Sequence, residues 1–305
     1  MKKPKINLFL DSGAFSAWTQ GTKIDVQEYI KFIKKHQDII GIYANLDVIG
    51  LGGKQPNQLT AEKTLENQKI MEAAGLSPLP CFHYGEPLSF LEYYVKNYDY
   101  IALGVAGNSG AKLIPWLDSC FSKYICDNTG FPKVKVHGFA ITSVPLMLRY
   151  PWYSVDSTSW ALIGGMGSIY VPKYKNKVWV YDENVLKIAV SSQNPKKKEA
   201  GQHIDTLTPY LRRIYIHYIH EKGYKLGKSE FKQEKQSYAL AENERWVEKK
   251  SKKSLRLVEI LVEEGLCNRY QLRDELNIIY FKDLEKTIPK WPWCFETKNI
   301  MEGLL

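Results

Sequence analysis

The sequence predicts an α/β fold: a (β/α)8 barrel of the TIM type with a helical, basic C-terminal extension. Three observations carry that expectation. Short apolar runs alternate with helical patterns from residue 5 to about 170, as parallel strands joined by crossover helices do. Polar or glycine residues (Asp11, Asp47, His83, Gly104, His137, Asp156) stand at or just past the ends of those runs, where a barrel carries its active site. No GxGxxG follows the first run, which removes the main cue for a dinucleotide-binding sheet. Such a series of units also fits an open doubly wound sheet, but the polar strand ends favour the barrel.

Taken in order, the strand-like runs are Ile6–Leu10, Ile39–Leu46, Leu79–Phe82, Tyr100–Val105, Val134–Phe139 and Trp152–Val155. Helical patterns fall between them at Val26–His36, Thr60–Ala74, Pro87–Asn97, Ala111–Tyr124 and Val144–Leu148. The segment 60–74 sets Leu65, Ile70 and Met71 among Glu and Lys, good helix formers at helical spacing. A glycine-rich loop, Gly164-Gly165-Met166-Gly167, leads into alternating residues through Tyr181 but lacks the Lys-Ser/Thr of a phosphate loop. Pro195-Lys196-Lys197-Lys198 reads as an exposed turn, and 203–221 and 230–264 read as helices, the second long and charged. Domain limits follow: a catalytic core over 1–190, and a basic helical region over 191–305 that completes the barrel and binds nucleic acid. The last residues, around Trp291-Pro292-Trp293, read as a packed cap without chemistry of their own.

Composition narrows the class. Of 305 residues, 44% are hydrophobic and 13% aromatic, enough for a large core. No apolar run is long enough to span a membrane, and Met1-Lys2-Lys3-Pro4 lacks the core of a signal peptide, so a cytoplasmic protein is expected. The five cysteines are scattered without CxxC pairs, which excludes a disulfide frame or zinc cluster read from local spacing. The net charge of +9 is concentrated: residues 171–256 hold 20 Lys/Arg against 10 Asp/Glu. Aromatics interleave that segment (Tyr215, Tyr218, Tyr224, Phe231, Tyr238, Trp246). Such a stripe suits a polyanion; a lysine-rich solvated helix face is the plainer alternative.

Two acids organise the chemistry. Asp11 closes the first apolar run and is followed by Ser12-Gly13-Ala14-Phe15; Asp156 stands between Val155 and Ser157 with no basic neighbour in sequence. Paired carboxylates at a barrel mouth suit displacement at an anomeric carbon, one as nucleophile and one moving protons. Plainer roles exist for each residue: Asp11 or Asp47 as a helix cap, His83 or His137 as a satisfied core histidine, Phe15 as core, Gly104 as a packing glycine, and Asp156 as a structural acid.

Asp11-Ser12-Gly13-Ala14-Phe15 resembles the DSGGF/Y signature of the tRNA-guanine transglycosylase (queuine tRNA-ribosyltransferase) superfamily. Asn45-Leu46-Asp47, Tyr100-Ile101-Ala102-Leu103-Gly104-Val105-Ala106, His137-Gly138 and Val155-Asp156-Ser157 resemble its further landmarks in order, over about residues 1–170. The resemblance implies exchange of guanine in a polynucleotide for a 7-deazaguanine such as preQ0 or preQ1. Asp156 would then be the nucleophile and Asp11 the general acid/base. Asp47 would accept from the N–H edge of the base, Ser12, Gly13, His83 and Gly104 would line its site, and Phe15 and His137 would sandwich its plane. The usual family carries a zinc cluster that this sequence does not encode, so no metal and no cofactor is expected. Its Gln-Gly-Gly strand end is replaced by Phe82-His83-Tyr84-Gly85-Glu86, and its arginine loop by Ser157-Thr158-Ser159-Trp160. The lost zinc and basic C-terminal half look more like the phage and genomic-island branch that modifies DNA in a host cytoplasm. The partner expected is therefore DNA, with tRNA as the alternative; homodimers are common in the family. A glycoside hydrolase, or a barrel that binds nucleic acid without catalysis, remains open on the residues alone.

Overall fold

Every strand expected before residue 157 forms, and all of them pair in parallel. The computed structural model describes residues 8–50, 56–105, 110–194, 199–247 and 254–296; Pro195-Lys196-Lys197-Lys198 lies outside them. β1 (Leu8–Leu10) runs beside β2 (Ile40–Tyr43). β3 (Cys81–His83), β4 (Tyr100–Gly104), β5 (Lys135–Phe139) and β6 (Ser154–Val155) form a second parallel group in that order. An Ala44–Leu79 bridge links the two groups, with Asn45 N donating to Leu79 O at 2.9 Å. Spatial order therefore repeats chain order, as a succession of strand–helix–strand units requires.

The sheet curves. Phe9, Ile42, Ala44, Leu79, Cys81, Tyr100, Ala102 and Phe139 share one apolar cluster. The Phe9 ring of β1 stacks on His137 of β5 at 4.5 Å, so side chains four strands apart meet. Among the described residues the hydrogen bonding does not close into a ring.

The connecting helices are α1 (Ala14–Thr19), α2 (Val26–Lys35), α3 (Gln58–Ala73), α4 (Leu88–Asn97), α5 (Gly110–Cys120) and α6 (Val144–Arg149). Their caps are local. Asp25 accepts from the N–H groups of Gln27 and Glu28 at 2.9 and 3.0 Å, and Asn57 with Thr60 forms a capping box; such caps contribute about 1 kcal/mol each. Tyr29, Ile30 and Ile33 on one face of α2 pack with Leu46 and with Met71 of α3. Full burial of such a side chain contributes roughly 1.5–3 kcal/mol.

Contacts divide the chain after Ser157, with residues 289–296 returning to the first unit, where the sequence reading set the limit at 190. In that return segment Phe295 N donates to Gly130 O at 2.8 Å and its ring stacks on Tyr150.

The second unit, Thr158–Ile288, is built on antiparallel pairs. It comprises α7 (Ser159–Gly165), β7 (Ser168–Val171), β8 (Lys173–Lys175), β9 (Val178–Val180), β10 (Leu186–Ala189), α8 (Pro209–Glu221), β11 (Lys228–Lys235), β12 (Glu244–Trp246), β13 (Leu255–Glu263) and α9 (Tyr270–Glu285). β7 pairs with β10, β8 with β9, and β13 lies between β11 and β12.

The helical C-terminal extension is corrected accordingly. Residues 203–221 do yield α8 after a short 3-10 turn, but where a second helix was expected over 230–264 the described residues form β11, β12 and β13 of a three-stranded sheet. Leu255, Val258, Leu261 and Val262 have helical spacing by coincidence. Leu255, Leu257, Glu259 and Leu261 alternate equally well, and the β-branched Val258, Ile260 and Val262 favour the strand.

Candidate active site

The expected site residues all belong to the first unit, and most gather at the C-terminal ends of its strands. Asp156 follows β6. Its Oδ1 accepts from Ala140 N at 2.8 Å and lies 3.4 Å from His137 Nε2. Ala140 holds φ 54°, a left-handed conformation that costs a non-glycine residue of order 1–3 kcal/mol and here aims a backbone N–H at the carboxylate. The other His137 nitrogen, Nδ1, is 2.7 Å from Ser154 Oγ, which is in turn 2.6 Å from Tyr100 Oη. Tyr100, Ser154 and His137 thus form a short chain ending at the acid. Burial opposes the charge on Asp156, but His137 and the Ala140 N–H outweigh it and hold the carboxyl below the usual range. Its side chain remains 54% exposed.

Asp11 follows β1. Burial, then the charge of Asp47, then that of Asp156 push its carboxyl above the usual range, against the backbone N–H groups of Ser12 and Gly13. The two acids are therefore near enough to feel each other and are shifted in opposite directions. Asp11 does not cap α1: the N-cap position is Gly13 at φ 76°, with no side-chain cap bond.

Beneath them lies a buried polar cluster. Asp47 Oδ1 accepts from Ser12 Oγ at 2.6 Å, and Asp47 Oδ2 is 2.8 Å from His83 Nε2. His83 Nδ1 is 3.5 Å from Glu86 Oε1, and the His83 backbone N–H donates to Glu86 Oε2 at 2.8 Å. His83 is 2% exposed. Burial works against its imidazolium, but the bonds to Asp47 and Glu86 outweigh it and push the pKa up to about 10. A Cβ on Gly104 would sit 2.8 Å from His83 Nε2, so glycine there makes room for the ring.

These contacts sort the expected residues. Ser12, Asp47, His83 and Glu86 form one cluster and Asp156, His137, Ser154 and Tyr100 another, and Asp11 feels the charges of both Asp47 and Asp156. His137 has one ring face covered by Phe9 and Phe139 at its edge, and it holds Asp156. Phe15 is 47% exposed on α1, edge-on to Trp18. Sequence reading missed Glu86, Ser154, Tyr100 and Ala140. Glu86 alone left a signal, an acid three residues beyond a strand-end histidine.

Among the described residues of the second unit, several basic side chains pair with acids. Lys232 pairs with Glu244 at 2.7 Å, Arg245 with Glu259 at 2.8 Å and Lys222 with Asp283 at 2.8 Å. The aromatic stripe is corrected in part. Tyr215 and Tyr218 are buried in the core with Ile169, Val171 and Leu276, because α8 turns them inward on one face. Phe231 remains exposed, and Trp246 carries Arg256 on its ring at 4.2 Å.

A cavity of about 350 Å³ lies elsewhere on the first unit, lined by Tyr43, Glu72, Leu79, Tyr98, Asp99 and Tyr100. That is where β3 and β4 begin, and Tyr100 in its lining is also the first member of the chain through Ser154 and His137. Among the described residues no three His, Cys, Asp or Glu side chains are arranged to hold a metal ion, and no helix is long and apolar enough to cross a membrane. No protein-family model matches this chain, and neither do curated proteins or solved structures.

Proposed function

We propose that this chain is a pentosyltransferase that exchanges guanine in DNA for a 7-deazaguanine, working in the cytoplasm at the mouth of an eightfold barrel. One observation supports the reading: Asp11 and Asp156, at the ends of β1 and β6, have carboxyl groups shifted in opposite directions, one upward and one downward. Opposed shifts suit a proton donor and a group kept ionised.

Asp156 is the nucleophile. One of its carboxylate oxygens attacks C1′ of the target nucleotide, the C1′–N9 bond breaks, and its electron pair leaves with the base. Asp11 supplies the proton that the departing guanine takes up. The incoming deazaguanine then returns a proton to Asp11, its ring nitrogen attacks C1′, and the Asp156 ester bond breaks. His137, Ala140 N–H and the strained turn keep Asp156 charged and aimed until that moment. Asp47 accepts from the N–H edge of either base. The target nucleotide must be extruded to reach such a site, and the excess of Lys and Arg over residues 171–256 suits a polyanion.

DNA is preferred over tRNA on the resemblance to the compact branch without the zinc cluster. The test is incubation with radiolabelled guanine and either polymer, followed by a denaturing gel. Label in DNA, with a slow-migrating covalent adduct, is the expected result. Label in tRNA alone moves the substrate to tRNA. Release of base without incorporation makes the protein a hydrolase. Binding unaltered in Asp156→Ala, with no adduct, leaves a non-catalytic binding barrel.

A further inference from the structure

A carboxylate that reads a base must present its oxygens in a fixed direction, and Asp47 is held from two sides. Ser12 Oγ occupies one lone pair of Oδ1 and His83 Nε2 one of Oδ2. A carboxylate accepts at about four lone-pair positions, so both oxygens keep acceptor capacity. Ionised carboxylates use such capacity to bind two parallel N–H donors. Guanine and its 7-deaza analogues offer such a pair in the ring N1–H and the exocyclic 2-amino group; hypoxanthine lacks the second donor.

His83 is in turn immobilised. Glu86 Oε2 accepts from the His83 backbone N–H, Glu86 Oε1 lies 3.5 Å from the ring Nδ1, and Gly104 leaves the space the ring fills. His83, Glu86 and Asp47 are 2, 5 and 8% exposed, so His83 and Glu86 act on a base only through Asp47, the least buried of the three. Resting on the exchange reading above, we propose that His83 and Glu86 are positioning residues that orient Asp47 and thereby select bases carrying the 2-amino donor. The charge of Asp47 is also felt at Asp11, which places this recognition group beside the proton donor.

The experiment measures exchange with guanine and with hypoxanthine for the intact protein and for His83→Leu, His83→Gln and Glu86→Gln. His83→Leu removes the donor to Asp47 and is expected to raise KM for guanine about 10–100-fold. Its kcat changes little, and the preference for guanine over hypoxanthine falls toward unity. His83→Gln, which restores an N–H donor at the same reach, keeps the preference. Should His83→Leu fail to fold, Glu86→Gln carries the same test at nearly constant volume, with a smaller loss of preference in the same direction. A fall in kcat with unchanged base preference, or equal effects on both bases, overturns the proposal. Calorimetric binding of free guanine and hypoxanthine separates this inference from the reading it rests on, because it needs no bond to form. Preferential guanine binding that the His83 variant loses, without an adduct at Asp156, sinks the exchange reading and keeps the role of His83. An adduct with base preference intact in every variant sinks the role of His83 alone.

Discussion

Where β3 and β4 begin, Glu72 lines the cavity and meets only donors: Tyr98 Oη at 2.6 Å, Gln68 Nε2 at 3.0 Å and Lys69 Nζ at 3.1 Å. Burial opposes its charge, yet these donors outweigh it and lower the carboxyl. Where β1 finishes, burial first, then the charges of Asp47 and Asp156, raise the Asp11 carboxyl. Both ends belong to the same unit, so fold alone does not explain the contrast. An acid surrounded by donors is a structural tie. An acid crowded by acids weakens the fold, and its retention is explained by work it does on another molecule. The cavity where β3 and β4 begin is therefore the poorer candidate, and the strand ends carry the chemistry.

The sharpest way to break this contrast is Asp156→Ala. Exchange should fall by at least about 10⁴-fold, as when a covalent nucleophile is removed, while thermal stability changes little because the side chain is half exposed. A residual rate within tenfold of the intact protein, measured by label incorporation, would remove Asp156 from the mechanism. His137→Phe keeps the stack on Phe9 but deletes the nitrogen facing Asp156, and should slow exchange about 10²-fold. The pH profile gives the sign. Asp156 must be ionised to attack, so the acid limb of kcat/KM follows its lowered pKa; without His137 that pKa rises and the limb moves to higher pH. The alkaline limb follows the raised pKa of Asp11 and stays in place. An acid limb that does not move would mean that His137 supports packing only.

The strands were legible because each is a short apolar run ended by a polar or glycine residue, and the acids were legible because they interrupt that pattern. What joins them was not. The partnership of Glu86, His83 and Asp47 depends on how far β2 and β3 extend beyond their last paired residues, and Ala140 enters the site through a backbone angle that no side chain announces. α9 was missed for a different reason. Its buried stripe includes Asn277, which accepts from Tyr170 N and donates to Trp160 O, and Arg273, which donates to Gly164 O and Leu266 O. Those polar residues erase the apolar periodicity that marks a helix, although each buried group is paired. The sheet of β11, β12 and β13 was missed because its sequence fits both periods, and the antiparallel pairing across the sheet decided between them.

Glu72→Gln sharpens the comparison from the other end. It leaves the side chain volume but weakens the bonds to Tyr98 and Lys69, and should lower stability by about 1 kcal/mol, a typical loss for a partly exposed charged network. Exchange with labelled guanine should be unchanged. A loss of exchange out of proportion to the loss of stability would make the cavity part of the functional site and erase the distinction between the two ends.

The smallest effect is the most diagnostic. Because the folded pKa of Asp11 lies above its ordinary value of 3.8, the folded chain binds that proton more tightly than the unfolded chain. Above the folded pKa the ionised carboxylate therefore subtracts from stability, and as pH falls through that pKa toward the ordinary one the subtraction disappears. Asp11→Asn should abolish exchange and yet raise the denaturant midpoint at neutral pH. The gain should stay below about 1 kcal/mol because solvent screens the group, and it should fade on acidification as the native carboxyl takes up its own proton. A structural acid behaves oppositely: removing it lowers stability at neutral pH, and the loss shrinks in acid. Urea titrations of the two proteins at several pH values distinguish these signs, and a destabilised Asp11→Asn would return Asp11 to the class of Glu72 and leave the departing base without a proton donor.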